Sequence, residues 1–312
     1  MAQPTPSRGQ DLLWRLEAAG FDAVAWLMRR LPVDAASDFG AAFLGTLGPM
    51  TRVDRTVSRN LRIAFPQAPA AEIARLKRAQ WCELGRFLAE FPIVDRIAAD
   101  PGRIEVVNGE RLTDLAQSGT AAVLMSGHFS NFEVMAAAIV QAGVRCQVTY
   151  RAANNPYVDQ RIRESRARYG VRLFAAKGSD GTREMMRAFG RGESVALLND
   201  QKFNGGVAAP FFGVTAYTAP GPSTFALKFG APIVPMSVQR IRKARFRVIV
   251  HEPMRLQDTG DRAADVAAGV RRINAFVEAR VRERPWEWFW AHKRWPKELY
   301  KKTYKAPLVP GD

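Results

Sequence analysis

Histidine and cysteine are scarce in this chain, with three of one and two of the other in 312 residues. Cys82 and Cys146 make no disulfide framework. Neither has a nearby His or Cys, so no metal site is implied, and both read as small apolar packing residues. No cofactor is called for. Negative charge is also in short supply: 30 Asp and Glu against 46 Lys and Arg leave a net charge of +16. A surplus that large points to an anionic partner, which is a nucleic acid, an acidic protein, or a phospholipid or phosphorylated surface. Long apolar runs are missing as well. Nothing reads as a secretory signal or a spanning helix. The longest uncharged run, 203–227, is broken by Pro210, Pro220 and Pro222. There is no internal repeat and no low-complexity segment.

Apolar residues are ample, at 47% of the chain, enough for one large core or two modest ones. From Asp11 to Leu31 the periodicity predicts a helix whose charged positions Asp11, Arg15, Asp22 and Arg29 fall within about 40° of one another. Glu17 and Arg30 lie off that stripe. The wide apolar flank carries Leu12, Leu13, Trp14, Leu16, Phe21, Val24, Trp26, Leu27 and Met28. Such a helix is either core or half-immersed in a bilayer surface. Two tryptophans and the basic end favour the membrane. An Ala/Gly/Phe-rich segment, 35–50, is expected beside it. The division expected is residues 1–51 as amphipathic membrane-associating helices and 52–312 as a catalytic domain.

Helices are expected through 52–100, then strands at 104–107, 121–126, 144–150, 171–175, 194–199, 233–239 and 246–251. Helices are predicted at 110–117, 132–141, 156–169, 180–190 and 262–284. This alternation argues for an α/β fold: a single catalytic domain with a mostly parallel central sheet flanked by helices, preceded by amphipathic N-terminal helices. Functional residues in such folds sit at the carboxyl ends of strands.

One of the three histidines stands at such an end. His128 follows the apolar run 121–125, and Glu133 lies five positions on. Five helical steps turn through about 140°, so the two side chains meet only if His128 is in the loop and Glu133 in the first turn of the next helix. A general base oriented by a carboxylate is one reading. The other is a capping box, Ser130-x-x-Glu133, with Glu133 bonding back to the helix start. Asp200 also follows an apolar strand. It organises a site, binds a substrate hydroxyl or caps a helix. Arginines 151, 161, 163, 166 and 168 form either a phosphate clamp or a solvated face. The C-terminal cluster of Trp286, Trp288, Phe289, Trp290, Trp295, Tyr300 and Tyr304, interleaved with Lys293, Arg294, Lys297, Lys301, Lys302 and Lys305, fits a membrane belt, a base-stacking surface or packing over the sheet.

Six blocks in order give the chain a resemblance to a known family: Arg59-Asn60-Leu61-Arg62-Ile63-Ala64-Phe65-Pro66; His128-Phe129-Ser130-Asn131-Phe132-Glu133; Tyr150-Arg151-Ala152-Ala153-Asn154-Asn155-Pro156 with Asp159 and Arg166; Asn199-Asp200-Gln201; Pro210-Phe211-Phe212-Gly213-Val214; and Trp288-Phe289-Trp290-Ala291-His292-Lys293-Arg294-Trp295. It resembles the bacterial lipid A biosynthesis lauroyl and myristoyl acyltransferases of the lysophospholipid acyltransferase superfamily. The resemblance implies acyl transfer from acyl carrier protein to a hydroxyl of a lipid A precursor, an anionic phosphorylated glycolipid. It implies work at the cytoplasmic face of the bacterial inner membrane, as a peripheral or monotopic protein. It makes His128 the base and Glu133 its orienting acid, and gives Asn131, Arg151, Arg166, Asp200 and Gln201 to substrate binding. The Pro210-Phe211-Phe212-Gly213 segment is expected to shape an acyl slot. A superfamily member acylating a phosphatidylinositol mannoside or other glycolipid from acyl-CoA shares the pattern. A non-catalytic basic membrane or nucleic-acid binding protein fits the charge, but it leaves His128 and Glu133 unexplained, and no nucleic-acid motif is present.

Overall fold

The computed structural model describes residues 6–174 and 179–301, so Lys302, Tyr304 and Lys305 of the C-terminal cluster lie outside it. Five helices come first: α1 (Arg8–Arg30), α2 (Val33–Leu47), α3 (Asp54–Ala64), α4 (Ala70–Glu90) and α5 (Val94–Ala99). Strands and helices then alternate through β1 (Ile104–Val107), α6 (Glu110–Ser118), β2 (Val123–Ser126), α7 (Glu133–Gln141), β3 (Cys146–Thr149), α8 (Pro156–Ala167), β4 (Leu173–Phe174), α9 (Ser179–Gly190) and β5 (Ser194–Leu198). After β6 (Val207–Phe211), β7 (Val214–Thr218) and α10 (Gly221–Phe229) come β8 (Ile233–Arg242), β9 (Arg245–Val250) and α11 (Arg262–Glu283).

Seven strands form one sheet in the order β1-β9-β8-β2-β5-β3-β4, and only the β8–β9 hairpin is antiparallel. The mixed α/β class with a mostly parallel sheet is therefore as expected. Local chemistry sets the boundaries. Asn155 caps α8 by accepting from the Tyr157 and Val158 amides, with Pro156 pre-set at the first helical position. The hairpin β6–β7 and helix α10 lie inside the uncharged run and were not expected. Phe212 and Gly213 both adopt positive φ, 54° and 71°, the conformation a two-residue hairpin turn requires. Pro210 is tolerated because the ribbon has only two strands.

The register that matters most is between β2 and β5. They pair in parallel, Ser126 opposite Leu198. The loops leaving them emerge side by side at one edge of the sheet, although 72 positions separate His128 from Asp200.

The first two helices pack on the body in an inverted sense. The polar stripe of α1 faces inward: Asp11 accepts from the Tyr157 hydroxyl at 2.7 Å and Asp22 from Arg161 at 2.6 Å, while Arg29 donates to Asp95 at 2.8 Å; Glu17, off the stripe, accepts from Asn155 at 2.9 Å. The apolar flank faces out, with Leu12, Leu16 and Trp26 about 60% exposed. On α2, Phe39 and Phe43 are exposed and stacked. Its other side meets α4 so closely that a Cβ on Gly40 would stand 2.2 Å from the Gly85 carbonyl oxygen. No helix among the described residues is long and apolar enough to cross a membrane.

Candidate active site

His128 stands in the loop after β2, with its ring turned towards the end of β5. There Asp200, 1% exposed, accepts from the imidazole at Nδ1, with Oδ1 2.6 Å away. The other carboxylate oxygen accepts the His128 backbone N–H and the Trp288 indole N–H, each at 2.7 Å. Burial opposes ionisation of Asp200, yet the adjoining His128 and these hydrogen bonds hold its carboxyl well below the usual range. An ionised Asp200 requires the proton on Nδ1, which leaves the Nε2 lone pair free to accept. The Gln201 amide nitrogen sits 3.3 Å from that Nε2. The fit is tight: a Cβ on Gly127 would lie 3.1 Å from Asp200 Oδ2. Ser130 is held at φ 42° while its amide donates to the Glu287 carbonyl at 2.6 Å, a backbone shape uncommon outside glycine.

Glu133 does not orient His128. Its two oxygens are taken by α8 and the turn after it: Arg166 donates to both, at 2.6 and 3.0 Å, and the Tyr169 hydroxyl donates at 2.7 Å. The Glu133 side chain leaves the first turn of α7 on the side facing α8, whereas the imidazole faces β5. Although burial opposes it, the Glu133 charge raises the Arg166 guanidinium pKa further. Arg166 is thereby committed to an internal ion pair, which corrects its expected place in a phosphate clamp. Asn131 is corrected too. It is fully buried, donates to Glu90 at 2.9 Å and accepts from the Glu133 amide, so it shapes the start of α7 rather than touching a substrate. Ser130 makes no capping box, because α7 begins after Phe132 with no hydroxyl on its amides. Glu90 also accepts from Ser37 of α2 and pairs with Arg240, tying the N-terminal helices to this loop.

Arg151 is exposed just beyond β3, at the same edge of the sheet, with no hydrogen bond or ion pair among the described residues. Arg161 and Arg163 are paired with Asp22 and Asp159. Trp288, Trp290 and Trp295 are essentially fully buried, so they pack over the sheet and are unavailable as a membrane belt or stacking surface. The Trp288 bond to Asp200 was missed at the level of sequence. The signal available was that a buried indole N–H must find an acceptor.

Two cavities lie near the histidine. One holds His128 with Gln80, Leu84, Phe87 and Phe289 and encloses about 270 Å³. The other, which His128 does not line, runs between the sheet and α7, is walled mainly by Leu124, Met135, Ile139, Val148, Ala196 and Leu198 with the Glu133–Arg166 pair at its edge, and spans about 530 Å³ including its open mouth. The Phe211–Phe212 turn lines neither. It packs against Trp288, Trp290 and Trp295, which corrects its expected role in an acyl slot.

Comparison with known families gives the class: the chain is an acyltransferase. It belongs to the bacterial lipid A biosynthesis acyltransferase family, whose model matches residues 19–297. Among solved structures it is similar to the 1-acyl-sn-glycerophosphate (LPA) acyltransferase PlsC from Thermotoga maritima. The identity is 15%, with 82% of this chain and 98% of that chain covered at a TM-score of 0.34. No curated protein matches the chain.

Proposed function

We propose that this acyltransferase moves a fatty acyl group from acyl carrier protein to a hydroxyl of a phosphorylated lipid A precursor, with His128 as general base and Asp200 as the carboxylate that orients it. The observation that carries this reading is the Asp200–His128 bond. It turns Nε2 away from Asp200 towards Gln201, in a small chamber that Phe132 separates from an apolar cavity. Nε2 takes the hydroxyl proton as the oxygen attacks the thioester carbonyl, forming the new C–O bond. The tetrahedral oxyanion collapses, the C–S bond breaks, and the imidazolium returns the proton to the departing thiolate. No serine or cysteine nucleophile is needed. Gln201 must swing off Nε2 to admit the acceptor hydroxyl, and Arg151 is placed to meet an acceptor phosphate. The cavity beneath α7 takes the acyl chain.

The test combines two measurements. Purified His128→Ala is expected to lose about 10²–10⁴-fold in transfer rate from acyl carrier protein to lipid A precursor, with acyl-CoA run as the competing donor. Mass spectrometry of lipid A after deletion of the gene is expected to show one acyl chain missing. Undiminished transfer by a folded His128→Ala protein would sink the assignment of the base. Unchanged lipid A would sink the acceptor.

The reading extends to attachment. Helices α1 and α2 lie on the cytoplasmic surface of the inner membrane with the exposed leucines, Trp26, Phe39 and Phe43 in the lipid. An outward apolar face held from beneath by ion pairs is the geometry of a helix laid on a bilayer surface. Replacing Leu16 and Trp26 together by Glu is expected to weaken binding to anionic vesicles by about tenfold or more, since each large apolar side chain immersed contributes about 1.5–3 kcal/mol. Circular dichroism is expected to be unchanged, because both side chains are about 60% exposed. Equal vesicle binding by the double variant would refute this orientation.

A further inference from the structure

The two cavities meet at one side chain. Phe132 lines both the His128 chamber and the apolar cavity beneath α7. Its ring lies between Phe87, at 4.7 Å between centroids, and the His128 imidazole, met edge-on at 5.0 Å. The residue precedes the first turn of α7 and is half-buried, whereas its neighbours Asn131 and Glu133 are buried and hydrogen-bonded. Ring contacts and packing against the edge of the core hold the side chain, so a change of rotamer breaks no hydrogen bond.

We propose that Phe132 is a gate that a fatty chain must displace to pass from His128 into the apolar cavity, so that only an acyl group long enough to gain burial beyond the ring enters it. The proposal rests on the acyl-transfer reading. A thioester carbonyl placed for attack beside Nε2 puts its first methylenes against this ring. A short acyl group ends there. A long one continues only by turning the ring away from Phe87 and His128. The aromatic contacts that hold the gate shut are small beside what burying eight further methylenes returns. Long chains therefore open it and short ones do not.

The test is equilibrium binding of two non-hydrolysable probes, the dodecyl and butyl thioethers of pantetheine, to the full chain. Wild type is expected to prefer the dodecyl probe. Phe132→Trp, with a larger ring in the same passage, is expected to lower the dodecyl-to-butyl affinity ratio by about tenfold or more. Phe132→Leu, smaller and freer to turn, lowers a cost that only the long chain meets and is expected to raise the ratio. Phe87→Trp narrows the passage from the opposite wall and is expected to act in the same direction, which covers the case in which Phe132→Trp does not fold. Melting temperatures report folding for each variant. A ratio unchanged in both tryptophan variants, two affinities that fall together, or no dodecyl preference in wild type would overturn the gate. If the ratio shifts as expected while wild type acylates no hydroxyl lipid, the gate stands and the acyl-transfer reading fails.

Discussion

Asp200→Asn is expected to reduce kcat by about 10³–10⁴-fold, a loss of the size seen when the orienting carboxylate of a serine-protease triad becomes an amide. The change is nearly isosteric, and the amide oxygen can still accept from Trp288 and the His128 N–H, which both use Oδ2. The amide nitrogen then faces Nδ1, where Oδ1 stood at 2.6 Å. It has protons to give and no lone pair to offer. The imidazole must present its lone pair at Nδ1 and carry its proton on Nε2, so the base is lost while the ring stays in place. Steady-state kinetics beside circular dichroism and a melting curve check this. A loss smaller than about tenfold in a folded protein would mean that Asp200 serves only packing.

Glu133→Ala is expected to cost about 3–5 kcal/mol of folding stability, the penalty for removing one member of a buried ion pair. Glu133 is 3% exposed and satisfies both Arg166 and Tyr169. Without it the guanidinium stays beneath α7 with its charge uncompensated, and the Tyr169 hydroxyl loses its acceptor. Removing both charges with apolar side chains of similar length, Glu133→Leu with Arg166→Met, is expected to return most of the stability. Urea denaturation midpoints for the two singles and the double make the comparison. A direct chemical role for Glu133 predicts another pattern: Glu133→Ala as stable as wild type with transfer abolished, and the double no better than either single. That outcome would reject the structural account.

The sequence carries the class of the fold well and its wiring less well. Strands such as β1 and β5 and helices such as α9 and α11 match their expected spans to within a residue or so, because period and punctuation are local signals. The ribbon β6–β7 escaped because β6 passes through Pro210, which argues against a strand in isolation. The site was half legible for the same reason. His128 and Asp200 both announce themselves as polar residues ending apolar strands. That they touch depends on β2 and β5 being neighbours, and strand order is not a local property. Glu133 was favoured because it is near His128 in the chain. The orientation of the α7 first turn, set by Arg166 on another helix and Tyr169 in the turn after it, sends it elsewhere. In the same way the stripe on α1 was visible, but which side of that helix faced the protein was not.

The long separation between the two halves of the dyad has a consequence for the protein while it is being made. A nascent chain that has released β2 from the ribosome already owns its histidine, but the aspartate is 72 residues behind and the indole that braces it follows only at position 288. Until nearly the whole polypeptide has emerged and the strands have docked, no imidazole in it is poised to accept a proton. On the proposed mechanism, an unfinished copy therefore lacks the oriented base with which to squander activated fatty acid on water.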